Sequence, residues 1–347
     1  LQVQILDDST DESRFVARRA CERWSKLGLD ISYIHRTDRT GYKAGALENG
    51  LKEARFDLIA IFDADFCPQP GFLKEIVHYF ADPAIGMVQS RWGHLNENHS
   101  LMTEVQSLML NGHFLVEQPA RNRNGLFFNF NGTAGLWRKQ AIEDAGGWEH
   151  DTLTEDLDLS YRAQMRGWKA VYDPNIVCPA ELPVEMNAFK NQQHRWAKGS
   201  IQVMKKILPR FLKADLPLRV KVEGFFHLSG NLVYPMMIVM CLLTVPMLIL
   251  RARIADGTIG AIIDLGIFIC ATASVVTFYT FTLALGNRRW WQRLYLVPMM
   301  LALGIGLAVN QAKAVWEALR GQQSPFVRTP KFNIQVGEAR DAWTKVR

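Results

Sequence analysis

Asp63 and Asp65 stand two residues apart in the run FDADFCP. Carboxylates at that spacing can share a divalent cation, because hard cations take oxygen ligands and substrate phosphates complete the shell. A solvated turn would present the same pair. A second acidic group, Glu155, Asp156 and Asp158, follows Thr154, which is expected to cap a helix there. Acids suit a helix N-terminus, where the dipole favours negative charge. A positioned carboxylate can equally act as a general base toward an attacking hydroxyl. In NQQHRWAKG, Gln192, Arg195 and Trp196 fall within about one helical turn. Arg195 can fork onto a diphosphate. Trp196 offers a flat apolar face for a sugar ring, or an anchor at a membrane interface.

Three smaller groups complete the inventory. Asn129, Asn131, Gly132 and Thr133 make a short polar turn between aromatic runs. Such a turn allows close backbone approach to a ligand, or is simply a turn. Gly41 and Gly45 surround Lys43 at a helix start, where free N–H groups bind anions. Asp7 and Asp8 end the first apolar run, with Asp11 and Glu12 just beyond.

These residues need a scaffold that brings them together. Strand patterns are read over residues 1–6, 31–35, 58–62 and 85–89, and helical patterns over 43–54 and 70–80. Another helix is expected from Ser9, with Glu12 completing a capping box. Alternation of this kind indicates an α/β fold with a mainly parallel sheet and helices on both faces. Ligands of such sheets sit beyond the carboxyl ends of the strands. Asp7–Asp8 and Asp63–Asp65 both lie at strand ends, so one rim should carry them.

Mean hydropathy near zero averages two unlike parts. Residues 1–225 mix charge, turns and apolar runs. Residues 226–315 hold three long apolar stretches, about 226–250, 259–285 and 294–312, each close to the ~20 residues a membrane helix needs. Residues 187–225 read as helical and basic, through Lys198, Lys205, Lys206, Arg210, Lys213, Arg219 and Lys221. Directly before a membrane segment, the end of that region, 206–225, is expected to lie on the bilayer surface. The net charge of +6 fits an anionic membrane surface or phosphorylated substrates. No continuous basic run with interleaved aromatics points to nucleic acid, so no nucleic-acid partner is expected. The five cysteines are scattered without a C-x-x-C pair, which argues against a zinc site or a disulfide framework.

Each motif alone is ambiguous, but their order is not. D-D-S, D-x-D, T-E-D and Q-x-x-R-W, followed by membrane segments, resemble the processive family 2 glycosyltransferases, which include cellulose, chitin and hyaluronan synthases. LDDSTDES, GYKAGAL, FDADF, VEQ, FNFNGTAGLWR, AGGW, TEDLDLSYRA, GWK and QQHRWAKG are similar to the glucomannan-synthase-like branch, over most of residues 1–215. PFVRTPK resembles the gating loop of cellulose synthases through Phe326, Thr329 and Lys331.

The resemblance implies a GT-A nucleotide-sugar-binding domain over residues 1–205, then the interfacial helix, the membrane segments and a gating-loop-like segment over 316–347. It implies inverting transfer of a hexose from a nucleotide-sugar, UDP-glucose or GDP-mannose, to a growing β-linked polysaccharide. On the matched positions Asp156 is the general base and Glu155 its support. Asp63 and Asp65 hold Mg²⁺ or Mn²⁺ and, with Arg195, the diphosphate. Asp7 or Asp8 faces the nucleobase, and Lys43 lies near the nucleotide. Gln192 and Trp196 hold the acceptor sugar, and the Asn131-Gly132-Thr133 turn adjoins it. A rival within the same fold transfers one sugar to a lipid. A catalytically dead membrane scaffold is the rival from another class.

The expected setting is a bacterial cell membrane or a Golgi-type membrane, with the catalytic domain cytosolic. Three full crossings would put PFVRTPK on the far side from the donor site, so the third segment is expected to be interfacial or re-entrant. Family members carry an earlier strand and loop before the position of Leu1. The chain is therefore expected to be a fragment lacking part of its nucleotide pocket. No accessory subunit is identified by the sequence.

Overall fold

The computed structural model describes residues 1–254, 257–324 and 329–332. The first unit is β1 (Val3–Asp7), α1 (Ser13–Lys26) and β2 (Ile31–His35), with β1 and β2 paired in parallel. Next come α2 (Tyr42–Glu53), β3 (Leu58–Ile61), α3 (Phe72–Val77) and β4 (Ile85–His94). Then α4 (Leu101–Asn111) runs through a π-helical turn, Gly112–Glu117, into α5 (Gln118–Arg123). The catalytic-domain sequence closes with β5 (Gly135–Arg138), α6 (Lys139–Asp144), α7 (Glu155–Met165) and β6 (Lys169–Ala180).

The main sheet has the order β3-β5-β4-β6. β4 and β6 are parallel, whereas β5 runs antiparallel to both β3 and β4. The α/β class holds, but the sheet is mixed rather than mainly parallel. Alternate residues feed two cores, as the pleat requires. Met87 and Trp137 point to one face with Ile142 of α6 and Leu159 of α7. Val88 and Leu136 point to the other with Phe72 and Ile76 of α3. β1 and β3 do not pair with each other, and the cleft described below opens between them.

Two local expectations are corrected. Ser9 does not start a helix: its backbone N–H and its hydroxyl both donate to Asp7 Oδ1, and α1 begins at Ser13. Thr154 precedes α7 but makes no side-chain cap bond.

The basic region is two helices rather than one. α8 (Met186–Lys213) and α9 (Leu218–Ser229) are separated at Ala214-Asp215-Leu216-Pro217, where the fixed proline φ suits a new helix start. The division expected at residue 205 falls inside α8. Beyond α9 lie α10 (Val233–Ile254), α11 (Gly257–Gly286) and α12 (Leu296–Leu319). Three helical spans, Leu218–Leu250, Gly260–Gly286 and Trp290–Leu319, are long and apolar enough to cross a membrane. They differ in surroundings: the apolar stretches of the first two are unburied, while a third of the last is buried within the protein. Leu296, Val297 and Met300 of α12 pack with Val105 and Leu108 of α4, and Val315 and Ala318 pack with Ile201 of α8. Lys205 Nζ donates to the Ala318 and Leu319 carbonyls at the end of α12.

The fully buried Trp137 anchors the first core between Phe130 and Trp148. Trp137→Ala is expected to cost about 3–5 kcal/mol, read as a lower midpoint in chemical denaturation of the detergent-solubilised chain.

Candidate active site

A cavity of about 1220 Å³ opens between β1 and β3 and is lined by Asp7, Asp8, Lys43, Asp63, Asp65, Asn131, Gly132, Glu155, Asp156, Gln192, Arg195, Trp196, Thr329 and Lys331. Four motifs spread over about 190 residues of sequence thus converge on one space. Of the residues singled out from sequence, Thr133 lies behind this lining and Phe326 lies outside the described residues.

The D-x-D pair sits just past the end of β3. The Asp63 N–H donates to the Thr133 hydroxyl at 2.8 Å, and Thr133 is fully buried. Its surroundings make it a support for the D-x-D backbone rather than a surface for an acceptor. Lys43 at the start of α2 forms an ion pair with Asp63, and Lys331 Nζ lies 2.7 Å from Asp65 Oδ2. Each carboxylate therefore already carries a cationic partner. Hard oxygen donors that attract positive charge at a cleft suit a divalent ion such as Mg²⁺ or Mn²⁺.

The turn just before β5 brings the second acidic motif alongside. Gly132 has φ +80°, and a Cβ there would lie 3.1 Å from Asp156 Oδ2 and 3.5 Å from Lys43 Nζ. Only glycine takes this backbone without steric cost, and its bare Cα leaves room for the carboxylate. Ala134, two residues on, also has a left-handed φ of 58°. It is held there because its N–H donates to Ile61 O and its carbonyl accepts from Ser90. Strain of this kind persists only where the surroundings over-determine it. Asn131 lines the cavity, while its side chain is engaged by Gln118 and His113.

Withdrawal from water raises the Asp156 carboxyl to about 7, and the neighbouring Glu155 charge adds to the rise, against the pull of Lys43. Glu155 is also raised, by burial first, with Lys43 and Arg195 opposing. For Lys43, burial works against the charge, but Asp63, Glu155 and Asp156 outweigh it and hold the amine above the usual lysine range. Burial draws Arg195 down, countered by Glu155, Asp63 and Asp156. A base near neutral pH is matched to proton abstraction under ordinary conditions.

Trp196 packs 6.5 Å from the Trp92 ring, and Trp92 in turn meets Phe66 and Phe114. On the opposite wall the first acids are not bare. Asp7 accepts from Ser9 and, at 2.8 Å, from the Tyr33 hydroxyl. Burial opposes ionisation of Asp7, and those hydrogen bonds outweigh it, so its carboxyl stays below the usual range. Asp8 is clasped by Arg36, whose Nε donates to Oδ1 at 2.9 Å and whose Nη2 pairs with Oδ2.

Sequence reasoning missed Arg36, Trp92 and Glu181. The Lys331 ammonium donates to the Glu181 carbonyl at 2.6 Å, and Phe332 N donates to Glu181 Oε1 at 2.9 Å. None of the three sits in a recognisable motif, although Trp92 could have been sought as an aromatic neighbour for Trp196.

A carboxylate cleft with a D-x-D strand end, a T-E-D helix start and a Q-x-x-R-W helix is what a nucleotide-sugar enzyme would present, and comparison with known proteins agrees. Residues 3–199, more than half of the chain, match the family model described as Glycosyltransferase like family 2. The chain belongs to that family. It is 41% identical over 218 residues to glucomannan 4-beta-mannosyltransferase 7 of Arabidopsis thaliana, covering 61% of this chain and 39% of the relative. It is 44% identical over 218 residues to glucomannan 4-beta-mannosyltransferase 1 of Oryza sativa subsp. japonica, covering 61% and 42%. The chain thus spans about two fifths of the length of these curated relatives. Among solved structures, the mannosyltransferase PcManGT of Pyrobaculum calidifontis, in complex with GDP-Man and Mn²⁺, shares the fold at a TM-score of 0.59. That match has 17% identity and covers 93% of this chain and 79% of the other.

The raised Asp156 carboxyl has a consequence for stability. A carboxyl whose folded value exceeds its unfolded value of about 4 binds more protons folded than unfolded. Its contribution is fully present below about pH 4 and is lost as pH rises through about 7. Asp156→Asn cannot ionise, so the melting temperature of the variant should gain on wild type as pH rises from 5 to 8. A pH-independent gap between the two in thermal scans would contradict this.

Proposed function

We propose that the chain catalyses inverting transfer of a mannosyl group from GDP-mannose to the non-reducing end of a β-linked glycan at a membrane. The observation that carries this is the meeting of Asp156, raised toward neutral pH, with the D-x-D pair and Arg195 around one cleft. The mannosyl donor is favoured over UDP-glucose by the 41% and 44% identity to glucomannan 4-beta-mannosyltransferases.

In this reading the acceptor hydroxyl lies between Asp156 and the anomeric carbon. Asp156 takes the hydroxyl proton as the new C–O bond forms on one face and the bond to the diphosphate breaks on the other. Glu155 and Lys43 set the charge around that carboxylate. Asp63 and Asp65 would hold Mg²⁺ or Mn²⁺, which when bound neutralises charge on the departing diphosphate. Arg195 contributes a fixed positive charge on the same side. Trp196, backed by Trp92, stacks on the acceptor sugar, and Gln192 bonds to its hydroxyls. Asp7 and Asp8, oriented by Tyr33 and Arg36, face the nucleobase. Lys331, now on Asp65, and Thr329 belong to a segment that closes over the donor and excludes water.

The packing of α12 on α4 and α8 supports the following membrane arrangement. α10 and α11 cross the bilayer as a pair, starting and ending on the side of the catalytic domain. α12, held along α4 and α8, lies at the interface rather than crossing, which keeps Thr329 and Lys331 with the donor site. The catalytic domain is then cytosolic, where nucleotide-sugars are.

The test is to offer the purified chain GDP-mannose, GDP-glucose and UDP-glucose with Mn²⁺ or Mg²⁺, and to size and linkage-map the product. The expected product is a chain of 4-linked β-mannose, and Asp156→Asn should reduce transfer by about 10²–10⁴-fold. Addition of a single sugar to lipid, or wild-type transfer by Asp156→Asn, would overturn the reading.

A further inference from the structure

The helix that carries Gln192, Arg195 and Trp196 also grips, from behind, the loop that leads into Glu155 and Asp156 at the start of α7. Contact is closest at Gly199. A Cβ there would lie 2.6 Å from Thr154 Cγ2, 2.8 Å from Thr154 Oγ1 and 3.0 Å from the Leu153 carbonyl carbon, so any larger side chain would push the loop away. One turn further, Gln202 Oε1 accepts the Leu153 N–H at 2.9 Å. A turn beyond that, Lys206 Nζ lies 2.5 Å from Glu149 Oε2, 2.7 Å from Asp151 Oδ1 and 3.0 Å from Asp158 Oδ1. Positions 199, 202 and 206 recur at three and four residues and so form one stripe of α8.

The last of these contacts reaches deepest. Asp158 is fully buried and shares the first turn of α7 with Asp156. Its other oxygen is 2.7 Å from Arg162, which also donates to the Gly147 carbonyl. Glu149, Asp151 and Asp158 offer oxygens within 4.8 Å of one another, a spacing that can hold a metal ion. Here two cations stand among them: Arg162, 3.6 Å from Glu149 Oε1 as well as on Asp158, and the lysine, which touches all three and whose amine they hold above its usual range in spite of burial. Without Lys206, Arg162 would have to serve Glu149 and buried Asp158 alone, and Asp151 would lose its ion pair in the cluster. Removing one partner of a buried ion pair is strongly unfavourable, and the loop would relieve that by moving.

We infer that Lys206 is a positioning residue for the Glu155–Asp156 pair: by gathering Glu149, Asp151 and Asp158 it fixes the first turn of α7 against the acceptor-side face of α8. This rests on the reading of Asp156 as the base. One helix thereby sets both the acceptor contacts and the place of the carboxylate that deprotonates the acceptor. A displacement of about 1 Å in such a group can cost ~10²-fold in rate.

The test compares the full chain with Lys206→Met and Lys206→Arg. Lys206→Met should lower kcat by roughly 10- to 100-fold and leave the KM for GDP-mannose within about two-fold, since Asp7, Asp8, Lys43, Asp63 and Asp65 lie on other elements and Arg195 stands about three turns away along α8. Lys206→Arg, which keeps a cation there, should recover most of the loss. Backbone amide exchange in Lys206→Met should rise over residues 149–158 and stay unchanged over 58–66. Unchanged exchange over 149–158, or wild-type kcat, would overturn the proposal, as would a loss confined to KM. If Lys206→Met does not fold, the double variant Glu149→Gln/Asp151→Asn removes the two outer anchors, keeps the buried pair, and is read on the same scale. The exchange readout needs no substrate, so it decides the matter even if the donor assignment fails. Failure of the base assignment would show separately, as full transfer by Asp156→Asn.

Discussion

Lys43 joins two acidic motifs into one electrostatic unit. Its ammonium is paired with Asp63 of the D-x-D turn and lies in the field of Glu155 and Asp156. Four carboxylates facing one cleft would repel one another strongly in a medium of low effective dielectric. Lys43, Arg195 and Lys331 offset that repulsion. Balance is incomplete around Asp156, because burial and Glu155 outweigh the lysine. The residual imbalance is what leaves one carboxyl ready to accept a proton near neutral pH.

The scaffold serves this arrangement through close approaches rather than long reaches. Gly132 brings the backbone against the Asp156 carboxylate, and Thr133 behind it holds the Asp63 amide. Gly199 lets α8 press on Thr154. α8 then carries the consequences outward, because it also packs on α12. Lys198, fully buried within α8, pairs with Glu317 of α12 at 2.9 Å. α12 is thus tied to the same element that carries Gln192, Arg195 and Trp196 into the cleft.

Much of this was legible in the sequence, for identifiable reasons. Acids at strand ends and helix starts are placed by topology, so the α/β alternation was enough to predict that Asp7–Asp8 and Asp63–Asp65 share a rim. The segments that misled were those where a local signal competed with a distant partner. Ser9 and Glu12 look like a capping box, but Asp7 takes both Ser9 donors. Asp7 and Asp8 look like free acceptors, yet Tyr33 and Arg36, more than 25 residues away, bind them. β6 went unread because Pro174 and Pro179 interrupt its pattern, and β5 because it is only four residues long. β5 is also the antiparallel strand, so missing it made the sheet look mainly parallel. Thr133 looked like part of a ligand-facing turn, and no pattern in the sequence could show that its hydroxyl faces inward to Asp63.

The central claim is that the half-buried Asp156 carboxyl titrates near neutral pH because withdrawal from water and the Glu155 charge outweigh Lys43. Infrared difference spectroscopy of the chain from pH 4 to 9, with Asp156→Asn as the blank, reads that carboxyl directly. The account predicts a protonated-carboxyl band that is lost with a midpoint near 7 and is missing from Asp156→Asn. It further predicts that the midpoint moves upward in Lys43→Met. A band lost near pH 4, or one that persists unchanged in Asp156→Asn, would contradict it.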